Sequence, residues 1–231
     1  MIYDSEIWKI DLENDLKNIT DFFKNTDLNF DQQYEDRQDP EIKERDMLDV
    51  AFIKLQKFSI YSSIIIRKLI EANKISDELL GHNFPIKNFK KSNEDKVTFW
   101  NGYKIDKFYD LKNPQKSNIS IKSLTDYFIH SFHFIPEYKW QQIDEKLPDD
   151  DIENLEVKEL LGIHFSSDKS KNTHLSFIDF GIYLKMIEST IKDFITHLEI
   201  RDGEIIKKSS KVVPVSKEVE KLIKKVENNS G

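Results

Sequence analysis

The strongest candidate for chemistry is a set of polar side chains spaced along residues 120–134. Lys122, Asp126, His130 and His133 fall within about 80° of one another when this segment is drawn as a helix. An Asp one turn before a His can hydrogen-bond the imidazole and fix its tautomer, as a general base requires. A lysine beside them could stabilise an anion formed during a reaction. This His/Asp/Lys stripe predicts a metal-independent hydrolase, ribonuclease-like in its chemistry.

The same stripe also has a structural interpretation. In it the two imidazoles satisfy backbone or tyrosine groups at the edge of the core. Neither the His130–His133 spacing nor an Asp–His pair is specific for catalysis. An HExxH pattern, which would indicate zinc, does not occur in the sequence. We therefore expect no metal and no cofactor, and we rank the structural interpretation above the catalytic one.

A second set of side chains combines lysines with aromatic rings. Proteins that bind single-stranded nucleic acid pair a cationic groove with rings on which bases stack, and the 87–107 patch has this composition. Its lysines are Lys87, Lys90, Lys91 and Lys96, and the nearby aromatic residues are Phe84, Phe89, Phe99 and Trp100. Aromatic residues in a hairpin are more often part of a core. Nucleic-acid binding is therefore the weaker alternative.

Charge is unevenly distributed along the 231 residues, whose net charge is −7. Residues 1–50 hold 15 acids and 6 bases, a balance of −9, so the remaining residues come to +2. Residues 86–122 carry nine lysines against four acids, a balance of +5. A chain that wraps nucleic acid would show a dominant basic balance. The acidic N-terminal region instead favours a solvated face or a contact with another protein.

Cysteine usage and the N-terminus predict the compartment. The chain has no cysteine, which excludes disulfides, thiolate nucleophiles and cysteine-ligated metals. The first residues are acidic and lack the apolar core of a secretory signal, and no apolar run reaches the length of a membrane span. We expect a cytoplasmic protein that does not enter a membrane.

The balance between the basic residue types is also informative. Lysine outnumbers arginine 31 to 4, which indicates an AT-rich and bacterial source and makes each arginine worth attention. Arg67 and Glu71 are one helical turn apart in the most apolar region of the chain. This spacing predicts a buried ion pair with a structural role.

Apolar periodicity predicts the helices. Spacings of three and four residues indicate helices over 3–26, 41–73, 120–134 and 180–198, and a small C-terminal helix at about 216–228. Ser76 is placed to cap a short helical turn that Gly81 ends. The acidic, helical N-terminal region spans about residues 1–40.

Turn signals predict the strands. Asn101-Gly102 inside the β-rich run 97–106 is the signature of a two-residue hairpin with a type I′ turn. Residues 160–165 and 173–179 read as two further strands joined by a polar turn, and Asp202-Gly203 leads into a short strand at 204–207. Strands next to strands predict an α+β fold, in which an antiparallel sheet built from hairpins packs against several amphipathic helices. We expect a single domain over residues 1–231.

The leading functional prediction is a protein-interaction or assembly module that forms homo- or hetero-oligomers. The six glycines are isolated, so neither a P-loop nor a dinucleotide fingerprint occurs. Aromatic residues make up 12% of the chain, and such side chains are enriched in the cores of protein interfaces. The hydrolase and the single-strand binder are the alternatives.

Overall fold

The computed structural model describes residues 5–26, 28, 47–142 and 155–210. The C-terminal helix predicted at about 216–228 lies outside these residues, as does most of the acidic stretch that follows the first helix. All structural statements below concern the described residues.

The described residues contain six helices, five of which lie in segments where the sequence predicted a helix. The helices are α1 Ser5–Asn25, α2 Met47–Glu71, α3 Asp77–Leu80, α4 Ile105–Phe108, α5 Ile121–Ile129 and α6 Phe180–Lys192. Three of them begin at a residue whose side-chain oxygen accepts a hydrogen bond from the first turn, as a helix start requires. These N-cap residues are Ser76 for α3, Ser120 for α5 and Asp179 for α6.

The strands form a five-stranded antiparallel sheet and a separate two-stranded ribbon, so the fold is α+β as predicted. The strands are β1 Asn83–Lys90, β2 Gln115–Ser120, β3 Ser131–Gln142, β4 Leu155–Ser167, β5 His174–Asp179, β6 Ile195–Arg201 and β7 Glu204–Ser210. The five-stranded sheet has the order β2-β1-β5-β4-β3, and β6 pairs with β7. Strands β4 and β5 confirm the two strands and the polar turn expected at 160–179.

One face of the large sheet carries the main hydrophobic core. Phe84, Ile163, Phe165 and Ile178 point from the strands toward buried side chains of α1, α2, α5 and α6. Phe128 lies at the centre of this core, where its ring makes edge-to-face contacts with Phe134, Phe165 and Tyr183. Such pairs add about 1 kcal/mol each beyond the area that they bury. The core therefore fixes α5, which carries most of the predicted stripe, against the sheet.

The opposite face of the sheet is partly covered by the segment that connects β1 to β2. Val97, Phe108 and Tyr109 of this segment pack on Phe89 of β1 and on Leu175 and Phe177 of β5. The hydroxyl of Tyr109 donates a hydrogen bond to the backbone carbonyl of Lys171, at 2.5 Å. These contacts hold the connecting segment against the sheet although it contains only one short helix.

The ribbon of β6 and β7 lies against the start of α3. Asp202 and Gly203 have φ angles of 54° and 82°, which a tight turn between two strands requires. The backbone N–H of Lys208 donates to Asp77 at 2.9 Å, and the Lys208 ammonium contacts Asn73 at 3.2 Å. None of the helices in the described part of the chain is long and apolar enough to cross a membrane.

Three predicted elements were wrong. The helix expected over 120–134 ends at Ile129, and β3 begins at Ser131. The helix expected over 180–198 ends at Lys192, because the run from Phe194 to Thr196 contains β-branched residues that enter β6. The hairpin expected over 97–106 does not form, and β1 lies earlier, in the lysine-rich stretch from Asn83 to Lys90.

Candidate functional site

The end of α5 divides the predicted His/Asp/Lys stripe. The Ser120 hydroxyl accepts a hydrogen bond from the Ser123 N–H at 3.2 Å and starts the helix, and His130 is its C-terminal cap. From Ser131 onward, polar and aromatic residues alternate with a period of two, which fits a strand better than a helix. Lys122, Asp126 and His130 therefore stay with α5, whereas His133 belongs to β3.

Asp126 and His130 line a cleft of about 490 Å³ between α2, α5 and the end of β4. The other residues that line the cleft are Arg67, Ser123, Tyr127, Ser167, Asp168 and Lys169. Lys122 is exposed on α5 but is not one of the lining residues. The structure thus brings together two of the four predicted stripe residues and adds Arg67 from another helix.

The carboxylate of Asp126 is engaged by Arg67 rather than by an imidazole. Arg67 donates from Nη1 to Asp126 at 3.0 Å and from Nε to Glu71 at 3.1 Å. The hydrogen bond between His130 and Asp126 is a backbone one, from the His130 N–H to the Asp126 carbonyl at 3.1 Å. Hydrogen bonds from Lys68 and Arg67 lower the pKa of Glu71. This arrangement fixes the Arg67 guanidinium at the mouth of the cleft.

The predicted Arg67–Glu71 ion pair is present, but it is not buried. The side chains of Arg67 and Glu71 are 42% and 48% exposed, so solvent screens the pair and its contribution to stability is small. The contact between Arg67 and Asp126 spans 59 residues of sequence, and no spacing rule could have found it. The one sequence signal was the rarity of arginine in a lysine-rich chain.

His133 lies in a separate, enclosed environment. The side chain is 4% exposed, and its ring contacts those of Phe132 and Tyr109. The Gly102 carbonyl lies 2.9 Å from Nε2 and the Ser166 hydroxyl 2.6 Å from Nδ1. Because a carbonyl only accepts, Nε2 carries the proton and Nδ1 accepts from Ser166. Burial lowers the pKa of His133 and favours this neutral form.

His133 therefore has both ring nitrogens occupied, as in the structural interpretation of the stripe. The structure does not bring His133 together with Asp126 and His130. A catalytic role for the four stripe residues stays a prediction.

The segment that His133 holds displays three aromatic side chains to solvent. We call residues 96–104 the aromatic loop. Phe99, Trp100 and Tyr103 are 81%, 84% and 70% exposed. The rings of Phe99 and Trp100 meet edge to face with centroids 5.4 Å apart, and the Lys104 ammonium lies 5.2 Å from the Tyr103 ring centre. Three exposed rings within five residues form a concentrated apolar patch on the surface.

The backbone of the aromatic loop is fixed although its aromatic side chains are exposed. The Asn101 side chain accepts from the Thr98 N–H at 2.7 Å and donates to the Lys96 carbonyl at 3.1 Å. At one end Val97 is buried, and its N–H donates to Asn172 at 2.9 Å. The loop is thereby tied both to itself and to the turn between β4 and β5.

Gly102 ties the other end of the aromatic loop to the sheet. A methyl group at this position would lie 2.9 Å from the Phe132 ring and 3.1 Å from His133 Nε2. The close approach therefore requires glycine. In the sequence, Asn101-Gly102 predicted a hairpin, but Gly102 has no positive φ. Its role is to let the loop reach His133.

The structure divides the predicted 87–107 patch. Phe84 and Phe89 are core residues, 0% and 6% exposed, whereas Phe99 and Trp100 face solvent. Of the lysines, Lys87 and Lys90 lie on β1, Lys91 lies just beyond it, and Lys96 begins the aromatic loop. The Lys87 ammonium lies 5.8 Å from the ring centre of Phe177. The exposed part of the patch is the aromatic loop, which also contains Tyr103, a residue of the predicted hairpin.

A further histidine–carboxylate pair lies on the sheet face opposite the main core. His164 of β4 is 6% exposed, and its Nε2 lies 2.7 Å from the Glu137 carboxylate on β3. The ring is flanked by Phe89 and Phe177. The hydrogen bond from His164 lowers the pKa of Glu137. The two residues are 27 positions apart, so only the pairing of β3 with β4 brings them together.

Neither a metal-binding cluster in the described part of the chain nor a similar known protein points to a function. Among the described residues, no group of three or more His, Asp or Glu side chains is placed to hold a metal ion. A scan against protein-family models matched none, and searches of curated proteins and of solved structures found no match either.

Proposed function

We propose that the protein is a binding module that recognises a partner protein through the aromatic loop. The observation that supports this proposal is the 70–84% exposure of Phe99, Trp100 and Tyr103 on a hydrogen-bonded backbone. Trp and Tyr are the side chains that most often dominate the energy of protein interfaces. A backbone that is already ordered reduces the entropy lost on binding. The loop thus has both the residue types and the rigidity of an interface hot spot.

Charge and ring geometry favour a protein over a nucleic acid as the partner. The lysines near the aromatic loop are interspersed with exposed acids, among them Glu94, Asp95 and Asp106, whereas a single-strand binder lines its groove with cations. The edge-to-face contact between Phe99 and Trp100 sets the two rings at 84° to each other. Successive bases stack on rings that lie side by side, so this geometry fits an apolar protein side chain better.

The experiment is a quantitative capture of partners from lysate by the wild-type chain and by a variant with Phe99→Ser, Trp100→Ser and Tyr103→Ser. Any protein enriched on the wild type is then purified, and its affinity for both chains is measured by calorimetry. We expect the triple variant to lose at least 2 kcal/mol of binding free energy. The matched control replaces Ile200, Ile205 and Ile206 of the ribbon, which are also exposed, with Ser.

Equal affinity of the two chains for every captured protein would exclude the aromatic loop as the interface. Titration with oligo-dT, read by tryptophan fluorescence, tests the single-strand alternative. Binding of oligo-dT that weakens steeply with added salt would favour nucleic acid over protein.

A second candidate function is the metal-independent hydrolase. The observation that favours it is the position of Arg67 beside Asp126 and His130 in the cleft. In this form of the proposal His130 transfers the proton and Arg67 stabilises the anion. Turnover of an RNA substrate should fall by roughly 10²–10⁴-fold in His130→Ala. Unchanged turnover in that variant would end the hydrolase proposal.

A further inference from the structure

The cleft brings hydrogen-bond donors together from three elements. Arg67 comes from α2, Tyr127 and His130 come from α5 and its end, and Lys169 comes from the turn that follows β4. Within the described part of the chain, no hydrogen bond is made by Arg67 Nη2, by the His130 ring, by the Tyr127 hydroxyl or by the Lys169 ammonium. The cleft therefore offers several convergent donors to a ligand.

The carboxylates of the cleft already have cationic partners. Asp126 accepts from Arg67 at 3.0 Å, and Asp168 accepts from Lys171 at 2.6 Å. Glu71, just outside the cleft, lies 2.9 Å from Lys68. The lining side chains comprise two cations, Arg67 and Lys169, and two carboxylates, Asp126 and Asp168. With Lys171, Lys68 and Glu71, which pair around the cleft, the site and its immediate partners hold four cations against three carboxylates. A negatively charged ligand is thus favoured over a positive one.

Arg67 has the fixed orientation expected of an arginine that binds an anion. The contacts of its Nε with Glu71 and of its Nη1 with Asp126 orient the planar guanidinium. A fixed guanidinium loses little freedom when a planar or tetrahedral oxyanion accepts hydrogen bonds from it. The remaining Nη2 is available at the cleft.

We propose that this cleft binds the phosphate group of a small phosphate-bearing ligand. Phosphate has more acceptor oxygens than a carboxylate. It can therefore accept hydrogen bonds from several sides of the cleft, where the donors are Arg67, Tyr127, His130 and Lys169. The volume of about 490 Å³ lies in the range of small-molecule sites and has room for a group attached to the phosphate. Binding of this ligand requires neither a partner on the aromatic loop nor turnover in the cleft.

The experiment titrates the full chain with adenosine 5′-monophosphate, inorganic phosphate and adenosine at constant ionic strength. Binding is read from the His130 ring resonances by NMR. We expect saturable shifts with both phosphate compounds and none with adenosine. Tighter binding of the nucleotide would identify a phosphate ester as the ligand, and equal binding would identify the free ion.

Two variants and a control test the residues. Arg67→Lys keeps the charge but removes the planar fork, and we expect the affinity for adenosine 5′-monophosphate to fall about tenfold or more. Tyr127→Phe leaves the ion pairs intact and should weaken binding several-fold. Arg201→Lys, on the exposed ribbon, is the matched control and should bind as the wild type does. The melting temperature of each variant confirms that it is folded.

Three outcomes would overturn the proposal. They are the absence of saturable shifts at His130, equal binding of adenosine and its monophosphate, and unchanged affinity in folded Arg67→Lys. Loss of partner capture by the aromatic-loop variant would leave all three measurements unaffected, so the two proposals fail separately.

Discussion

Burial lowers the pKa of three histidines in this protein. His82, His133 and His174 have pKa values below the ordinary 6.5, in each case mainly because desolvation disfavours the charged ring. In the neutral form of His133, Nε2 donates to the Gly102 carbonyl and Nδ1 accepts from the Ser166 hydroxyl. A buried, neutral histidine of this kind is compatible with the fold at neutral pH. Its protonation at lower pH destabilises the folded state, because the charged ring is poorly solvated there.

We expect the free energy of unfolding to decrease as the pH falls from about 6.5 toward 5. In this window the unfolded chain binds more protons at His82, His133 and His174 than the folded chain does, because burial lowers the pKa values of these histidines in the folded chain. The slope should reach up to about 1.4 kcal/mol per pH unit for each histidine. Asp15 and Asp179, whose carboxyl pKa values are raised by burial, act in the opposite direction at lower pH.

Urea unfolding at several pH values measures this dependence. His133→Asn should flatten the slope, whereas His197→Asn, at an exposed ribbon position, should leave it as in the wild type. A stability that increases on acidification through this window would contradict the prediction.

Gly162 is a second residue whose role only the structure reveals. A methyl group there would overlap the Phe177 ring and the Ile178 carbonyl oxygen on the neighbouring strand. We expect Gly162→Ala to lower the free energy of unfolding by about 3 kcal/mol, because the ring and the backbone must both move. Gly181→Ala is the control, since its methyl would meet only the Asp179 side chain, at 3.1 Å. Chemical denaturation gives both values, and a Gly162→Ala protein as stable as the control would show that the sheet adapts.

At the scale of elements, the sequence predicted those helices and strands whose ends and faces are determined by residues close together in the chain. The apolar spacing of α1 and α2, the Ser76 cap and the polar turn between β4 and β5 were all readable. The segment around Asn101-Gly102 was not, because the Asn101 side chain hydrogen-bonds Thr98 and Lys96 within one strand-free loop. The period of a sequence also leaves short segments ambiguous. Ser131 to Phe134 fits a helical wheel, yet pairing with β4 makes it a strand.

The candidate site divides in the same way. Asp126 and His130 could be predicted together because both belong to α5 and its cap. Arg67 could not, since its contact with Asp126 depends on how α2 packs against α5. The exposure of Trp100 was likewise beyond the sequence, because hairpin aromatic residues ordinarily pack inward.

The hydrogen bonds of Asn101 predict how the aromatic loop responds to mutation. Asn101→Ala removes the acceptor for the Thr98 N–H and the donor to the Lys96 carbonyl, so the loop should become more mobile while the sheet stays intact. We expect amide exchange in residues 97–103 to accelerate about tenfold, which corresponds to the loss of roughly 1–1.5 kcal/mol. Exchange in β4 should not change. Asn118→Ala, at an exposed position on β2, is the control, and equal exchange in both variants would show that Asn101 does not order the loop.

At the scale of the whole molecule, one buried lysine connects α1 to the end of α6. Lys9 of α1 is 3% exposed, and its ammonium donates to the backbone carbonyl of Asp193 at the end of α6. It also lies 4.4 Å from the ring centre of Phe194. Asp193 in turn accepts from the Ser76 N–H at 2.7 Å. Desolvation lowers the pKa of Lys9, and the charge of Asp193 partly offsets this effect. The first part of the acidic N-terminal region is thus packed on the body of the protein.

Lys9→Met should lower the free energy of unfolding by about 3 kcal/mol, because the buried Asp193 would lose its cation. The Oδ1 atom of Asp193 already lacks a hydrogen-bond partner among the described residues. Lys17→Met, at an exposed position on the same helix, should change stability by no more than about 0.5 kcal/mol. Thermal denaturation of both variants measures the difference. Equal melting temperatures would mean that apolar contacts alone hold α1 in place.

The strand order also has a consequence for how the chain folds. Most strands of the sheet pair with a strand that is next to them in the chain: β1 with β2, β3 with β4, and β4 with β5. The exception is the pairing of β1 with β5, which are far apart in the chain. It consists of the four residue pairs from Lys87–Phe177 to Lys90–His174. Closing a long loop costs more entropy than forming a hairpin. The β1–β2 pair and the β3–β4–β5 group should therefore form early and dock late along this seam. Weakening the seam should mainly speed unfolding and leave the folding rate nearly unchanged.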